Sequence, residues 1–294
     1  MEGEWVMPFL HGLKAHSMFY ALQAIHRTGS SDADFALLTA SMPNGKIAPF
    51  RVEGYPYDDT LPELARQRGY CCVAMHGNTG SFFNRRPAYE KMGFSEVYFA
   101  EELHRMGCEI PYGGVLDEDV LRLSAQWMQQ ARQPTIHFII TLTSHGPFNR
   151  VPAEKRELFP QPAGESEAYL NCMRYVDRAL EAYVAALPEG TVVVLYGDHD
   201  SGVQGYREAS LGSGGRVPGL IYRKGDDLSQ RQWTRETDLA RCGPLTQLDL
   251  ASYVHGSLRA RTCAPDRGSG AVAETARGEE PRREVGDRRT PLRR

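Results

Sequence analysis

The sequence contains no run of about 18 apolar residues, so nothing in it reads as a transmembrane helix. Its first residues, Met1-Glu2-Gly3-Glu4-Trp5, are acidic and lack the basic region and apolar stretch of a signal peptide. No internal repeat is present. None of the six cysteines (Cys71, Cys72, Cys108, Cys172, Cys242, Cys263) forms a C-x-x-C pair, which excludes a zinc ribbon and leaves unpaired, structural thiols as the expectation. A basic excess is missing too. The formal net charge is −3, which argues against nucleic acid as a partner and against a polybasic membrane tract. The segment 259–294 is the exception, with ten Arg against six Asp and Glu, a net of +4 that leaves −7 for residues 1–258. Its only large apolar residues are Val272, Val285 and Leu292. Residues 1–258 are therefore expected to form the folded domain, and 259–294 to be a disordered basic tail or an altered reading frame.

What is present is an alternation of short apolar runs and helical patterns over 294 residues with 41% hydrophobic content, enough for a sizeable core. Residues 70–75 (YCCVAM), 135–142 (TIHFIITL) and 191–196 (TVVVLY) read as buried strands. Residues 217–222 (VPGLIY) read as a further strand, pushed toward an edge or an irregular course by Pro218 and Gly219. Helices are expected from the Thr60 cap to Arg68, with Gly69 as the stop, and over 118–131, 166–187 and 245–258. Continuously apolar strands separated by helices predict an α/β fold with a mainly parallel sheet sandwiched by helices.

In such sheets ligands gather at the carboxyl ends of strands. Just past three strand ends lie His76-Gly77-Asn78, Thr143-Ser144-His145 and Gly197-Asp198-His199. Asp198 and His199 together suit a divalent cation such as Mn²⁺, Zn²⁺ or Mg²⁺, although such a pair can also cap a following helix. His145 is a candidate acid, base or oxyanion donor, or a turn histidine bonded to local backbone. Arg85, in S-F-F-N-R-R-P, is a candidate fork for phosphate or carboxylate. Ser30 and Ser31 open a helix in G-S-S-D-A-D-F. Either serves as an N-cap, with Asp32 and Asp34 in the first turn, or offers a hydroxyl at an anion-binding helix end.

The segments M-H-G-N-T-G-S-F-F-N-R-R (75–86), T-L-T-S-H-G-P-F (141–148) and L-Y-G-D-H-D (195–200) resemble the lipoteichoic acid synthase and periplasmic-glucan phosphoglycerol transferase family, a sulfatase-like branch of the alkaline phosphatase superfamily. G-S-S-D-A-D-F (29–35) resembles its nucleophile segment, and R-V-P-G-L-I-Y (216–222) and L-T-Q-L-D-L-A (245–251) resemble its later pieces. The match is collinear from about Met7 to Leu258. The resemblance implies Ser30 as the nucleophile that forms a phosphoglycerol intermediate and binds the metal, with Asp198 and His199 as further metal ligands. It implies Arg85 and His145 on the substrate's phosphate and glycerol, His76 as a further pocket histidine, and Asn78 and Phe83 as substrate contacts. It also implies one divalent metal, Mn²⁺ foremost, a glycerophospholipid or glycerophosphate donor, and a membrane-anchored enzyme with its catalytic domain outside the cytoplasm.

The departures are specific. Ser30 stands for the usual Thr, Asn78 for a frequent Asp and Phe83 for a common Trp. The C-x-P-S-R signature of true sulfatases is absent, so sulfate-ester hydrolysis is not expected. Only 29 residues precede Ser30, so the family's first strand, its metal-binding Glu and its membrane helices are expected to be missing. A non-catalytic remnant, or a phosphodiesterase passing the intermediate to water, are the alternatives to a transferase.

Overall fold

The computed structural model describes residues 5–203, 215–229 and 245–260. The basic segment 261–294 and Cys242 and Cys263 lie outside the described residues.

The apolar runs become strands where they were expected. β2 (Cys71–His76) is central to a parallel trio, flanked by β3 (Glu96–Tyr98) and β4 (Thr135–Ile140), with Val73 opposite Glu96 and Cys71 opposite Thr135. Both of its faces are covered, Cys72 and Ala74 in one apolar cluster and Val73 and Met75 in another. That is why the run is apolar throughout rather than alternating. Three further strands pair antiparallel: β6 (Arg216–Arg223) lies between β1 (Met18–Gln23) and β5 (Val192–Tyr196). The fold is thus mixed α/β, with a parallel part and an antiparallel part.

β6 corrects one expectation. Despite Pro218 and Gly219 it is a middle strand. A Cβ on Gly219 would lie 2.5 Å from Leu22 Cδ1, so the missing side chain gives Leu22 its place, and the Pro218 carbonyl accepts from Gly197 N at 2.9 Å. β1 was not expected. Met18, Tyr20 and Leu22 are buried, but their outward neighbours Phe19 and Ala21 are apolar too, which hides the alternation.

Helices fill the connections: α1 (Pro8–Lys14), α2 (Ser31–Thr39), α3 (Leu61–Arg66), α4 (Arg85–Lys91), α5 (Ala100–Arg105), α6 (Asp117–Gln130), α7 (Glu165–Ala186) and α8 (Gln247–Ala260). Thr60 caps α3 through the Glu63 amide and Gly69 has φ +77° beyond its end, as its sequence requires. Every residue of α2 from Ser31 to Leu38 is buried, and His255 of α8 bonds the Leu37 carbonyl at 2.9 Å. A helix enclosed on all sides fixes its own N-terminus by tertiary packing. The four cysteines described are free thiols. No described helix is long and apolar enough to cross a membrane.

A buried polar relay ties β4 to α6 and α7. His137 Nδ1 meets Ser124 Oγ at 2.7 Å, and Ser124 Oγ meets Tyr183 Oη at 3.0 Å. Burial pushes His137 down to about 4. The folded state therefore resists a proton that the unfolded chain accepts near pH 6.5, so this stability is full above pH 6.5 and is lost as pH falls toward 4. The unfolding free energy of the wild type, from denaturant titration, should drop between pH 7 and 4.5 by roughly 2–3 kcal/mol more than that of His137→Asn. Equal pH slopes for the two would remove His137 from the account.

Candidate active site

The turn before α2 is built around Asp32, which is fully buried. Its carboxylate accepts from Arg27 N (2.7 Å), Thr28 N (2.6 Å) and Thr28 Oγ1 (2.7 Å), folding residues 27–30 back over the helix start. Gly29 has φ +134°, and the Phe83 ring lies 2.6 Å from where its Cβ would be, so only glycine fits both the backbone and the contact. Phe83 is thereby placed beside the Ser30 turn. Ser30 occupies the N-cap position of α2, yet its side chain makes no capping bond. Its Oγ meets His199 Nε2 at 2.9 Å instead. The Ser30 hydroxyl is therefore not spent on capping α2.

His199 and Asp198 lie just past β5. His199 Nδ1 faces the Asp200 carbonyl at 2.6 Å and so carries the proton there, which leaves Nε2 as a lone pair in the neutral ring. That lone pair lies 3.2 Å from Asp198 Oδ2 and 2.9 Å from Ser30 Oγ. Two electron-rich atoms this close call for a cation or a proton between them. Ser30 Oγ and Asp198 Oδ2 thus both approach His199 Nε2, at distances close to the roughly 3.0–3.4 Å between neighbouring donors on one divalent ion, so the residue types present are compatible with a shared cation. Among the described residues no group of three His, Cys, Asp or Glu forms, and the set reaches three only with the serine hydroxyl.

Two residues that the sequence did not single out hold this cluster. His26 stacks on His199 with centroids 4.1 Å apart and planes 15° from parallel, fixing the ring's orientation. Gln247 is buried at the start of α8; its Oε1 accepts from Ile25 N, and its Nε2 donates to the carbonyls of Gly197 and Asp198, all at 2.7 Å. One amide thus ties the loop leading to Ser30 to the strand end carrying Asp198. The motif L-T-Q-L-D-L-A contains this glutamine, but its spacing assigns it no task.

Arg85 departs from expectation. Its side chain is 2% exposed, and Nε and Nη2 both donate to Asp34 Oδ2, at 2.9 and 2.8 Å. Tyr89 Oη donates to the same oxygen at 3.1 Å. Burial works against the guanidinium's charge, and the Asp34 carboxylate outweighs it. Arg85 is therefore a fixed buried cation behind the pocket, with two of its donors already committed. Asp34, in turn, serves this pair rather than the helix end.

His76 ends β2, with Nδ1 donating to the Ile140 carbonyl at 2.9 Å. Burial first, then the charge of Arg85, push it down to about 3. It is a neutral ring whose Nε2 accepts. His145 lies past the end of the neighbouring parallel strand and is exposed, with Nδ1 on the Gly146 carbonyl and its own carbonyl held by Arg150 Nη1, both at 2.8 Å. The Asn78 side chain accepts from Thr79 N at 2.8 Å and so also shapes its own turn.

The model of the sulfatase family matches residues 4–251. The chain belongs to that family. Among curated relatives, the lipoteichoic acid synthase of Staphylococcus saprophyticus is 30% identical over 214 residues, covering 68% of this chain and 33% of that protein. The chain therefore spans about a third of the length of that relative. Among solved structures, the lipoteichoic acid synthase LtaP from Listeria monocytogenes superposes with a TM-score of 0.64 at 21% identity, covering 75% of this chain and 60% of the other. The Streptococcus pyogenes phosphoglycerol transferase GacH, solved with sn-glycerol-1-phosphate, gives 0.60 at 16% identity over 90% and 75%. The resemblance to lipoteichoic acid synthases thus holds, and the fold is the one shared with LtaP and GacH.

Gln247→Leu removes three hydrogen bonds and leaves the partner amide and carbonyls unpaired. It should cost about 2–4 kcal/mol in denaturant unfolding, while an unchanged midpoint would show that Gln247 does not brace the site.

Proposed function

We infer that this chain is a metal-dependent phosphoglycerol transferase domain. It moves phosphoglycerol from a glycerophospholipid-type donor to a cell-envelope glycan or polymer through a covalent Ser30 intermediate. The observation that carries this reading is the Ser30 hydroxyl, released from capping and set against His199 and Asp198. One divalent cation, Mn²⁺ foremost with Mg²⁺ or Zn²⁺ as alternatives, would be held by Ser30, Asp198 and His199. When bound, it lowers the pKa of a hydroxyl and neutralises phosphate oxygens.

The chain's own groups supply the rest. Ser30 Oγ attacks phosphorus at the N-terminus of α2, where the helix dipole favours an anion. The Oγ–P bond forms as the bond from phosphorus to the lipid glycerol oxygen breaks, and that oxygen leaves with a proton. A hydroxyl of the acceptor then attacks the same phosphorus and restores Ser30. The buried positive charge of Arg85 favours the phosphate oxygens through space. His76 Nε2, neutral and accepting, suits a glycerol hydroxyl. His145, exposed beside it, suits the phosphate or a departing oxygen, with Asn78 and Phe83 lining the pocket. Chemistry of this kind belongs outside the cytoplasmic membrane, where the donor lipid and the acceptor meet.

The described donors number three, which favours one competing account, a pocket too weak in metal to turn over. The two accounts part in a single assay. With Mn²⁺ and phosphatidylglycerol, intact mass should reveal a phosphoglycerol adduct on the wild type and on Ser30→Thr. Ser30→Ala should lack it and lose turnover by about a thousandfold or more. Turnover that survives Ser30→Ala, or a wild type that never acquires the adduct, would reject the transferase reading.

A further inference from the structure

The net charge of −3 hides a local feature beside the Ser30 turn. The segment joining α2 to the short helical turn Pro49–Arg51 reads S-M-P-N-G-K-I-A-P-F-R. It contains two cations and no carboxylate. Its apolar residues divide cleanly. Pro43, Ala48, Pro49 and Phe50 are buried and pin the loop down, while Met42 and Ile47 are each 50% exposed. Apolar side chains exposed together on an otherwise anchored loop make a candidate contact surface.

The loop's position gives this surface a role. Gly45, at φ +69°, lets the Arg27 side chain pack against it, since a Cβ there would lie 2.7 Å from Arg27 Cδ. Arg27 belongs to the turn that delivers Ser30. On the other side, Asn84 Nδ2 donates to the Phe50 carbonyl at 2.7 Å, tying the loop to Phe82 and Phe83. Phe83 covers Gly29, and Phe82, packed edge-on against it at 4.6 Å, is 41% exposed. Exposed apolar groups and cations thus share one rim around the nucleophile turn. No described carboxylate pairs with Arg27, Lys46 or Arg51. The other exposed apolar group, Met106, Ile110 and Tyr112, differs in kind: Glu109 lies among these residues, and the adjacent Arg105 is already paired with Glu102.

We propose that this rim, Met42, Lys46, Ile47 and Arg51 together with Phe82, docks the domain on an anionic lipid bilayer and so presents Ser30 to headgroups in the membrane plane. Apolar side chains enter the acyl boundary while cations meet the anionic headgroups, the two terms that together make interfacial binding stable. The placement rests on the phosphoglycerol-transfer reading for its purpose, but the docking itself does not.

Vesicle flotation of the full chain tests it. Wild type should float with phosphatidylglycerol vesicles, weakly with phosphatidylcholine vesicles, and less as salt rises. Met42→Ser/Ile47→Ser and Lys46→Gln/Arg51→Gln should each weaken binding by about tenfold, with unchanged thermal unfolding. Those variants should also lose transfer from vesicle-borne donor while keeping it on a water-soluble short-chain donor. Wild type that does not prefer anionic vesicles, or double variants that float like wild type, would overturn the proposal. Flotation needs no turnover, so a chain that docks without forming the Ser30 adduct would reject the transferase reading and leave the docking surface standing.

Discussion

The site depends on one contact between residues 169 apart in the chain, the 2.9 Å approach of Ser30 Oγ to His199 Nε2. A serine opening a helix ordinarily spends its hydroxyl on the helix's own amides. Here the buried helix α2 is fixed by its surroundings, and Asp32, three hydrogen bonds deep in the preceding turn, does the local tying. Ser30 is left to face the end of β5. Without that contact the chain would have a helix cap and an acidic strand end. With it, the serine hydroxyl and the Asp198 carboxylate both lie beside His199 Nε2.

The surrounding structure keeps the convergence from drifting. Gln247 bonds both sides of it, His26 fixes the plane of the His199 ring, and the Phe83 ring packs onto Gly29. Behind the pocket the Asp34–Arg85 pair sits in the interior. Breaking such a pair leaves an uncompensated buried charge; burial first, and then the positive end of this pair, keep His76 neutral. The Arg85 charge lies in the interior, while His145 is exposed to solvent.

Much of this was legible in the residues. Continuously apolar runs announced β2, β4 and β5, although only β2 is buried along most of its length and β4 and β5 are half-buried, with Val192 exposed, and the loop just past a strand's carboxyl end is the natural place for chemistry. The three histidine-bearing ends were found that way, whereas the Ser30 turn reads as the opening of a helix and carries a resemblance to a nucleophile segment. The features that escaped detection depend on three-dimensional packing. β1 lost its alternation because its outward face is apolar as well. Pro218 and Gly219 marked β6 as an edge, because nothing local reveals that Leu22 needs the room. Arg85 looked like a free fork, since burial beside Asp34, 51 positions earlier, is not a property of S-F-F-N-R-R-P. His26 and Gln247 carry no spacing signal at all; only the meeting of β1, β5 and α8 gives them a task.

The central claim is that Ser30, Asp198 and His199 form a divalent-cation site. Calorimetric titration with Mn²⁺, supported by the loss of the free-ion paramagnetic signal, tests it without any need for turnover. One ion per chain should bind, and Asp198→Asn and His199→Gln should each weaken it by about 10–100-fold, with a smaller loss for Ser30→Ala. Mn²⁺ affinity unaltered by Asp198→Asn and His199→Gln would contradict the account.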